Sequence, residues 1–247
     1  MTAAEHPVAI VTGAGSGIGR AVSVALAERG WRVALAARTQ ESLEETSDLV
    51  DEAYQQSAKH VELPAALVVP TDVADPRAVR AMIERVREAF GRIDALVNNA
   101  GLAPLAPIEK TDPEMLSDVF AVNTLGTGYA IHEVWPIFKR QRRGVIVNVS
   151  SMASRDPFPG FFAYAAAKAT VNLFAYSCAK EGAEYGIRAF AVAPGAVETP
   201  MLRALFDERT VPPDAAASPE DVADVIVGCI LGERDDANGS TIFLGGD

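Results

Sequence analysis

Short apolar segments alternate with helical segments along the whole chain, and this alternation limits the possible folds more than any other feature. Strands are expected near residues 7–12, 31–37, 65–70, 93–97, 144–150, 187–193 and 240–244, and helices near 17–29, 40–58, 75–90, 112–141, 161–185 and 218–231. The segments 66–69 and 145–147 are continuously hydrophobic, which is typical of parallel strands covered on both faces. The pattern predicts an α/β fold, a doubly wound parallel β-sheet of about seven strands with helices on both faces.

The composition favours a single domain spanning residues 1–247. Hydrophobic residues make up 49% of the chain, the mean hydropathy is +0.12, and no segment rich in proline, glycine and serine divides the sequence. The formal charge of −11 disfavours binding to nucleic acid, which requires clustered lysine and arginine. Residues 1–6 lack a signal-peptide pattern, and no apolar segment approaches the roughly 20 residues that span a membrane. A cytoplasmic protein that binds no membrane is expected.

Cysteine and histidine positions disfavour a metal site. Cys178 and Cys229 are far apart, and each lies in an apolar helical pattern typical of a buried thiol. His6, His60 and His132 share no metal-ligand spacing with one another or with the cysteines. Two buried hydrophobic thiols are therefore favoured over a disulfide or a metal centre.

A glycine-rich turn follows the first predicted strand. Residues 8–20 read VAIVTGAGSGIGR, in which Gly13, Gly15, Gly17 and Gly19 interrupt an apolar segment before a helical pattern begins. Glycine lets the backbone approach a diphosphate closely, and the free N–H groups at the start of a helix favour its negative charge. A strand, a glycine turn and a helix in this order predict a Rossmann-like nucleotide-binding unit, although the spacing differs from G-x-G-x-x-G.

Distinctive residues follow the carboxyl ends of six predicted strands. In chain order they are Gly13, Arg38, Asp72, Asn98, Ser151 and Pro194. Ligands of doubly wound sheets bind beyond the carboxyl ends of the strands. The six elements therefore predict one site at one edge of the sheet.

Tyr164 and Lys168 form a pair that can carry out proton transfer. Side chains at i and i+4 meet on one helix face, and Ser151 lies upstream at the end of an apolar strand. A free phenol has a pKa of about 10, and a nearby ammonium lowers it by favouring the phenolate. A phenol of this kind can exchange a proton with the oxygen of a carbonyl or an alcohol.

Together these residues resemble the motifs of the short-chain dehydrogenase/reductase family. The matching segments, in order across residues 8–200, are Thr12-Gly-x-x-x-Gly-x-Gly19, Asp72-Val73, Asn98-Asn99-Ala100-Gly101, Asn123, Ser151, Tyr164-x-x-x-Lys168 and Pro194-Gly195. The resemblance implies an oxidoreductase that transfers a hydride between a nicotinamide dinucleotide and a carbonyl or secondary alcohol. It does not imply a particular substrate.

The resemblance also implies roles for individual residues. Tyr164 would be the general acid/base, Lys168 would lower its pKa and bind the nicotinamide ribose, and Ser151 would hold the substrate oxygen. Asn123 completes the implied catalytic set by anchoring a water. The implied cofactor-binding residues are Gly13, Gly15, Ser16, Gly17, Ile18, Gly19, Arg38, Asp72, Val73, Asn99, Ala100, Gly101, Tyr164, Lys168, Pro194, Gly195, Val197 and Thr199. Structural alternatives are an amide satisfied within a helix for Asn123, a turn for Asn99 and a helix cap for Asp72.

The end of the second predicted strand indicates the coenzyme. Ala37 occupies the position where NAD-selective sites usually carry a carboxylate, and Arg38 follows it. An arginine guanidinium suits a 2′-phosphate, whereas a carboxylate would repel one. NADP(H) is therefore the predicted coenzyme. NAD(H) is the alternative, because Ser16 stands where many NADP-using relatives carry a second base.

The substrate is predicted only in outline. Within the segment 155–162, Phe158 and Phe161 indicate an apolar or ring-bearing small-molecule substrate, and core packing is the alternative. Ser151 and Tyr164 would contact the same molecule. Arg155 and Asp156 replace residues more usual in the family, and the sequence assigns them no role.

Prolines mark two further segments. Residues 201–217, which include Pro212 and Pro213, are typical of a mobile lid over the cleft. Pro136 falls within the predicted helix 112–141, and it should kink or end that helix because proline has no backbone N–H.

Other activities are compatible with the same fold. A 3-ketoacyl-(acyl-carrier-protein) reductase would need a basic docking surface, such as Arg140, Arg142 and Arg143, although a solvated helix end also explains that cluster. A non-catalytic dinucleotide-binding regulatory module typically lacks the tyrosine/lysine pair that this chain keeps. A sugar epimerase or dehydratase would carry a longer carboxyl-terminal region. The resemblance also implies a homodimer or homotetramer built across the helices 112–141 and 161–185, with the carboxyl-terminal strand.

Overall fold

The computed structural model describes residues 6–57 and 64–245, and the strands in these residues form one sheet. They are β1 (Val8–Thr12), β2 (Arg32–Ala37), β3 (Ala66–Pro70), β4 (Ala95–Asn98), β5 (Gly144–Val149), β6 (Ile187–Pro194) and β7 (Thr241–Leu244). Their order across the sheet is β3-β2-β1-β4-β5-β6-β7, and every neighbouring pair is parallel. This arrangement confirms the predicted Rossmann-like doubly wound sheet.

Helices cover both faces of the sheet. They are α1 (Gly17–Glu28), α2 (Gln40–Gln55), α3 (Pro76–Phe90), α4 (Pro113–Phe120), α5 (Gly126–Gln141), α6 (Phe162–Gly182), α7 (Pro200–Leu205) and α8 (Pro219–Leu231). Helices α1, α2 and α8 pack on one face around Leu26, Leu43 and Ile226. Helices α3 and α5 cover the other face around Met82 and Val134. Because both faces are apolar cores, β1, β4 and β5 are buried along their full length.

The predicted strand boundaries differ from the observed ones by at most two residues. Some predictions concern residues outside the described ranges: the last residues of the predicted helix 40–58, His60, and residues 1–5 and 246–247 of the proposed 1–247 domain. Helix α7 is the main addition, since it falls in the segment predicted as a lid.

The predicted helix 112–141 is divided in the structure. Helix α4 ends at Phe120, a single π-helical turn covers Ala121–Leu125, and α5 continues to Gln141. Pro136 lies inside α5 without ending it, so the prediction that it could end the helix is wrong. The proline is exposed, and the carbonyl group that loses its helical partner can therefore be hydrated.

The strand order reverses next to β1. The chain moves outward from β1 through β2 to β3, and then returns to the other side of β1 at β4. Doubly wound sheets bind ligands in the crevice that such a reversal opens at the carboxyl ends of the strands. The loops that follow β1, β4, β5 and β6 all begin at this edge.

Both cysteines lie in helices. Cys178 in α6 and Cys229 in α8 are both buried free thiols, as predicted, and burial raises the pKa of each to about 11.

Within the ranges 6–57 and 64–245, no helix combines the length and apolar character needed to cross a membrane.

Candidate active site

A cavity of about 570 Å³ lies at the carboxyl edge of the sheet. The predicted site residues that line it are Gly13, Ser16, Gly17, Ile18, Asn99, Ala100, Gly101, Ser151, Phe158, Phe161, Tyr164, Lys168, Pro194, Gly195, Val197 and Thr199. The predicted site residues that do not line it are Gly15, Gly19, Arg38, Asp72, Val73 and Asn123. The cavity thus joins the glycine turn to most of the catalytic candidates.

The glycine turn after β1 has no room for side chains. Gly13 has a φ of +66°, and a Cβ there would lie 2.7 Å from Asn99 Nδ2. A Cβ at Gly19 would lie 2.2 Å from the carbonyl oxygen of Gly13, and one at Gly17 would lie 2.9 Å from Thr199 Cγ2. The bare backbone at the start of α1 therefore fits the diphosphate of a dinucleotide, which binds to free N–H groups at a helix start.

Thr12 and Asn99 join this turn to the end of β4. Asn99 Nδ2 donates to the carbonyl oxygens of Thr12 and Gly13 at 3.0 and 3.1 Å. The Thr12 hydroxyl accepts from the N–H groups of Asn99 and Ala100 at 3.0 and 3.1 Å. Asn99 thus holds the turn and also lines the cavity. Thr12, which begins the glycine motif, is a supporting residue absent from the predicted site residues.

Arg20 supports the glycine turn from the side of α2, a role that no motif in the sequence indicates. Its guanidinium donates to the Gly15 carbonyl oxygen at 2.6 Å and to the Thr46 hydroxyl at 3.0 Å. It also pairs with Glu45 at 2.8 Å. A Cβ at Gly15 would lie 2.3 Å from Ser42 Oγ. Gly15 is therefore needed for the packing of the turn on α2 and does not line the cavity.

Three predicted coenzyme contacts do not line the cavity. Arg38 directly follows β2 and is exposed. Asp72 is also exposed, and its carboxylate accepts from the Ala74 N–H at 2.9 Å within the loop. The alternative of a helix cap at Asp72 is wrong, because Asp75 caps α3 by accepting from the Arg77 N–H. Val73 is buried against the start of α5, where a Cβ at Gly126 would lie 2.9 Å from the Val73 carbonyl oxygen.

Asn123 lies in the π-helical turn between α4 and α5. Its Nδ2 donates to the carbonyl oxygens of Val119 at 2.9 Å and Leu102 at 2.8 Å, and its Oδ1 accepts from the Leu102 N–H at 3.2 Å. A Cβ at Gly101 would lie 2.8 Å from Asn123 Oδ1 and 3.5 Å from Lys168 Nζ. The amide is therefore only partly satisfied within its helix, and it braces the loop after β4 close to Lys168.

Ser151, Tyr164 and Lys168 meet on the cavity wall. Ser151 follows β5, and its side chain is hydrogen-bonded to the Tyr164 phenol. Lys168 is one turn beyond Tyr164 on α6. Its Nζ donates to the Val149 carbonyl oxygen at 2.7 Å and lies 5.7 Å from the centroid of the Tyr164 ring.

Burial controls the pKa values of the two titratable groups. Burial raises the pKa of Tyr164 above its ordinary value, and the hydrogen bond with Ser151 opposes this effect. Burial lowers the pKa of Lys168 to about 8. The predicted lowering of the Tyr164 pKa by Lys168 is therefore not found in this arrangement, because the phenol is removed from water and the ammonium bonds a backbone carbonyl. At neutral pH the phenol is protonated and most of Lys168 is charged.

Buried polar groups fix α6 to the sheet. Asn98 Nδ2 donates to Asn148 Oδ1 at 2.9 Å, and Asn148 Nδ2 donates to the Val171 carbonyl oxygen at 3.0 Å. The Ser150 hydroxyl donates to the Lys168 carbonyl oxygen at 3.1 Å. Buried polar networks of this kind specify one geometry. Motif matching does not find Asn148 or Ser150, but polar residues in an otherwise apolar buried strand are a signal that could have done so.

An aromatic row leads from Tyr164 toward α7. The centroid of the Phe161 ring lies 5.0 Å from that of Tyr164 and 4.4 Å from that of Phe158. The Phe158 ring lies 6.1 Å from the Phe206 ring. Phe161 is buried beside Ala153, so the alternative of core packing also applies to it, whereas Phe158 is 47% exposed.

Helix α7 and the residues after it cover this end of the cavity. Leu205, Phe206 and Val211 line the wall. Arg203 holds the segment together, because its guanidinium donates to the Val211 carbonyl oxygen at 2.8 Å and pairs with Glu198. The mobility expected for residues 201–217 stays a prediction.

Comparison with known proteins agrees with the geometry of the site. The sequence profile of the family described as short chain dehydrogenase matches residues 7–210. The 2-(R)-hydroxypropyl-CoM dehydrogenase of Xanthobacter autotrophicus is 36% identical over 250 residues, with 97% of each chain covered. Levodione reductase has a TM-score of 0.88 at 28% identity, with 97% of this chain and 96% of that chain covered. A 3-ketoacyl-(acyl-carrier-protein) reductase from Brucella melitensis, complexed with NADH, has a TM-score of 0.86 at 28% identity, with 96% of each chain covered.

The family match and the relatives identify an oxidoreductase, and the fold and the cavity at its carboxyl edge agree with that class. The chain belongs to the short chain dehydrogenase family, as the sequence motifs predict.

Proposed function

We propose that this oxidoreductase transfers a hydride between NADP(H) and a carbonyl or secondary alcohol, with Tyr164 as general acid/base. The observation that carries the proposal is the meeting of Ser151, Tyr164 and Lys168 on the wall of the cavity into which the glycine turn opens. A bound nicotinamide dinucleotide supplies or accepts the hydride. Holding the substrate and moving the proton are tasks of the protein's own side chains.

Tyr164 is protonated at neutral pH, because the ordinary pKa of a phenol is about 10 and burial raises the pKa of Tyr164 further. In the direction of reduction, the carbonyl carbon gains a hydride and its oxygen gains the phenolic proton of Tyr164. The Ser151 hydroxyl, which is hydrogen-bonded to that phenol, can hold the same oxygen. The Lys168 ammonium, with a pKa of about 8, provides a positive charge that favours the phenolate left behind. Oxidation of an alcohol reverses these proton transfers.

Asn123 supports this step as a positioning residue. Its Oδ1 accepts from the Leu102 N–H, and its Nδ2 donates to the Leu102 carbonyl oxygen. Asn123 therefore contacts the loop after β4, which lies close to Lys168. We assign it the role of keeping the ammonium in place, alone or through a water.

NADP(H) is the proposed coenzyme because β2 ends in Ala37 instead of a carboxylate, and the exposed Arg38 follows. A guanidinium at this position can bind a 2′-phosphate. The Brucella melitensis neighbour is complexed with NADH, so NAD(H) is the alternative.

Reduction of a carrier-bound 3-ketoacyl group is a second candidate function, because one structural neighbour is such a reductase. The basic cluster that could dock an acidic carrier gives it little support. Arg142 and Arg143 precede β5 and so lie at the amino-terminal edge of the sheet, opposite the cavity. Arg143 pairs with the buried Asp94 at 2.7 Å, and Arg142 donates to the Glu184 carbonyl oxygen. A small-molecule substrate is therefore favoured over a carrier-bound chain.

We also propose that the protein forms a homodimer or homotetramer through α4, α5 and α6. Leu116, Leu125, Leu173 and Tyr176 are large apolar side chains exposed on the helical segments from α4 to α6, with Leu173 66% exposed. Light scattering coupled to size-exclusion chromatography should give a mass of two or four chains. A monomer at micromolar concentration would contradict this assembly.

The catalytic role of Tyr164 is tested with Tyr164→Phe and a panel of aliphatic and aryl ketones and secondary alcohols, followed by the absorbance of reduced coenzyme. Turnover should fall by about 10²- to 10⁴-fold because the acid/base is lost, while coenzyme binding is kept. Tyr185→Phe is the matched control, since Tyr185 precedes β6 and so lies at the amino-terminal edge of the sheet, opposite the cavity. Full activity of Tyr164→Phe would remove this residue from the mechanism.

A further inference from the structure

Arg155 and Asp156 lie between Ser151 and Tyr164, and the proposed mechanism uses neither. The Arg155 guanidinium lies 4.8 Å from the centroid of the Phe243 ring in β7 and does not line the cavity. Asp156 lines the cavity and is itself exposed to solvent. In the described part of the chain, no hydrogen bond or ion pair to its carboxylate is found. A carboxylate on a cavity wall without a protein partner is available to a ligand.

The charge at the substrate end of the cavity is set by Asp156. Among the described residues that line the cavity, Asp156 and Lys168 are the charged side chains. The Lys168 ammonium is buried at the reaction centre, where it bonds the Val149 carbonyl oxygen. Arg203 of α7 is paired with Glu198 and does not line the wall. A ligand group that reaches past Tyr164 therefore meets a negative charge.

The rest of this end is apolar and aromatic. Phe158, Phe161 and Phe206 share the wall with Asp156, together with Met201 and Leu205. An aromatic face attracts a cation as well as an apolar group, and a carboxylate forms charge-assisted hydrogen bonds with an ammonium. The same carboxylate disfavours an anionic ligand, because charge repulsion is a means of specificity. The wall therefore suits an apolar body with a positive group.

We propose that Asp156 determines specificity by favouring apolar ketones or secondary alcohols that carry an ammonium group away from the reacting carbon, and by disfavouring those that carry an anion there. The inference rests on the proposed function, because it assigns the substrate class of the same cavity.

Three ketones of one shape test the inference: 4′-ethylacetophenone, 4′-(aminomethyl)acetophenone and (4-acetylphenyl)acetate. They present a neutral, a cationic and an anionic group at the same distance from the carbonyl, each insulated from the ring by one methylene. Reduction is followed as kcat/KM. Binding of each ketone to the protein with coenzyme is measured separately by calorimetry, so that the ranking does not depend on turnover.

The decisive comparison is between variants, because a net charge of −11 favours cations over anions even without Asp156. Asp156→Asn should lower the cation-to-anion ratio by about tenfold, since one attraction and one repulsion are lost together. Asp156→Lys should reverse the ratio. Glu208→Gln is the matched control. Glu208 and Asp156 are both exposed, and Glu208→Gln changes the net charge by the same amount as Asp156→Asn, but Glu208 does not line the cavity. Glu208→Gln should therefore leave the ratio within about twofold of the wild-type value.

The outcomes separate the inference from the proposed function. Turnover with a ratio that Asp156→Asn does not change, or changes no more than Glu208→Gln does, would overturn the inference and keep the function. Binding that follows the charge at position 156 without any turnover would support the inference and count against the function. Failure of all three ketones to bind folded protein, as judged by circular dichroism, would overturn the aromatic and acidic wall as a substrate site.

Discussion

The two ends of the cavity differ in whether backbone or side chains line them. The proposed coenzyme end consists of backbone: glycines at which a Cβ would clash, held by Thr12, Asn99 and Arg20 through hydrogen bonds of 2.6 to 3.1 Å. The substrate end is side chains: a row of phenylalanines, one carboxylate and a short helix that follows β6. Backbone geometry can accept one kind of ligand closely, whereas side chains on connecting segments can be exchanged with little effect on the sheet. The coenzyme end should therefore tolerate substitution poorly, and the substrate end should tolerate it well.

Gly19→Ala should show the largest effect, because the new Cβ would lie 2.2 Å from a backbone oxygen that cannot move independently. Coenzyme affinity, measured by fluorescence titration, should fall by at least about 100-fold. Gly128→Ala in α5 is the control, since its Cβ would meet Phe174 at an ordinary 3.6 Å. Wild-type affinity in Gly19→Ala would show that the turn is more adaptable than the contrast between the two ends requires.

Lys168 lies between the two ends of the cavity and contributes to the pH dependence of the free energy of unfolding. Lys168→Met should remove that contribution. Burial lowers the pKa of Lys168 from 10.5 to about 8 in the folded protein. Between these values the unfolded chain holds more protons, so the Lys168 contribution to the free energy of unfolding rises with pH, by up to about 3 kcal/mol. Below pH 8 both states are protonated and the contribution is constant.

The test is the difference in free energy of unfolding between wild type and Lys168→Met, measured by denaturant titration without coenzyme from pH 7 to 10.5. The difference is needed because Cys178 and Cys229, whose pKa values are raised to about 11, act in the opposite direction above their ordinary range. A difference that does not vary with pH would contradict the effect of burial on the ammonium.

Arg38→Ala tests whether a side chain sets coenzyme choice at an end that is otherwise backbone. The KM for NADPH should rise by about tenfold through loss of a charge-assisted contact with the 2′-phosphate, while the KM for NADH changes little. Arg77→Ala is the control, because its side chain is 92% exposed in the next crossover helix. A wild-type preference for NADH would reject the NADP(H) proposal.

Phe206→Ala should show the smallest effect. Loss of one ring from the aromatic row should raise the KM for an aryl ketone by about threefold to tenfold and leave the KM for coenzyme unchanged. Phe162→Ala is the control, since Phe162 is 48% exposed on α6 and does not line the cavity. An equal effect of Phe206→Ala on the KM for the ketone and the KM for coenzyme would contradict the proposal that the two ligands bind at separate ends of the cavity.

The sequence predicts the sheet and much of the site because the signals involved are local. Continuous apolar strands, a glycine turn before a helix, and Tyr164 one turn from Lys168 each depend on neighbouring residues. All three features are found in the structure, and the glycine turn and the Tyr164–Lys168 pair both lie at the predicted carboxyl edge of the sheet. Two helix starts also follow local preferences, since the side chains of Asp112 and Ser218 accept backbone hydrogen bonds at the starts of α4 and α8.

The remaining features depend on distant contacts. Arg20 acts through α2, and Asn123 acts through Leu102. The short helix α7 is different, because it does carry a local signal: the Thr199 hydroxyl accepts from the Leu202 N–H, and Pro200 lies in the first turn. Pro136 is the opposite case, because its local preference is overridden by a helix packed along its length. The pKa of Tyr164 follows the same rule, since burial depends on the whole fold while the i, i+4 spacing does not.

The hydrogen bonds that run from Asn98 through Asn148 to α6 hold the proposed catalytic residues independently of the segments that line the proposed substrate end. They tie the helix that carries Tyr164 and Lys168 to β4 and β5, and Asn99 at the end of β4 holds the glycine turn. None of these bonds involves residues 155–161 or 200–217. Exchanging those two segments for the segments of a relative should therefore change the proposed substrate preference while the proposed catalytic residues keep their positions.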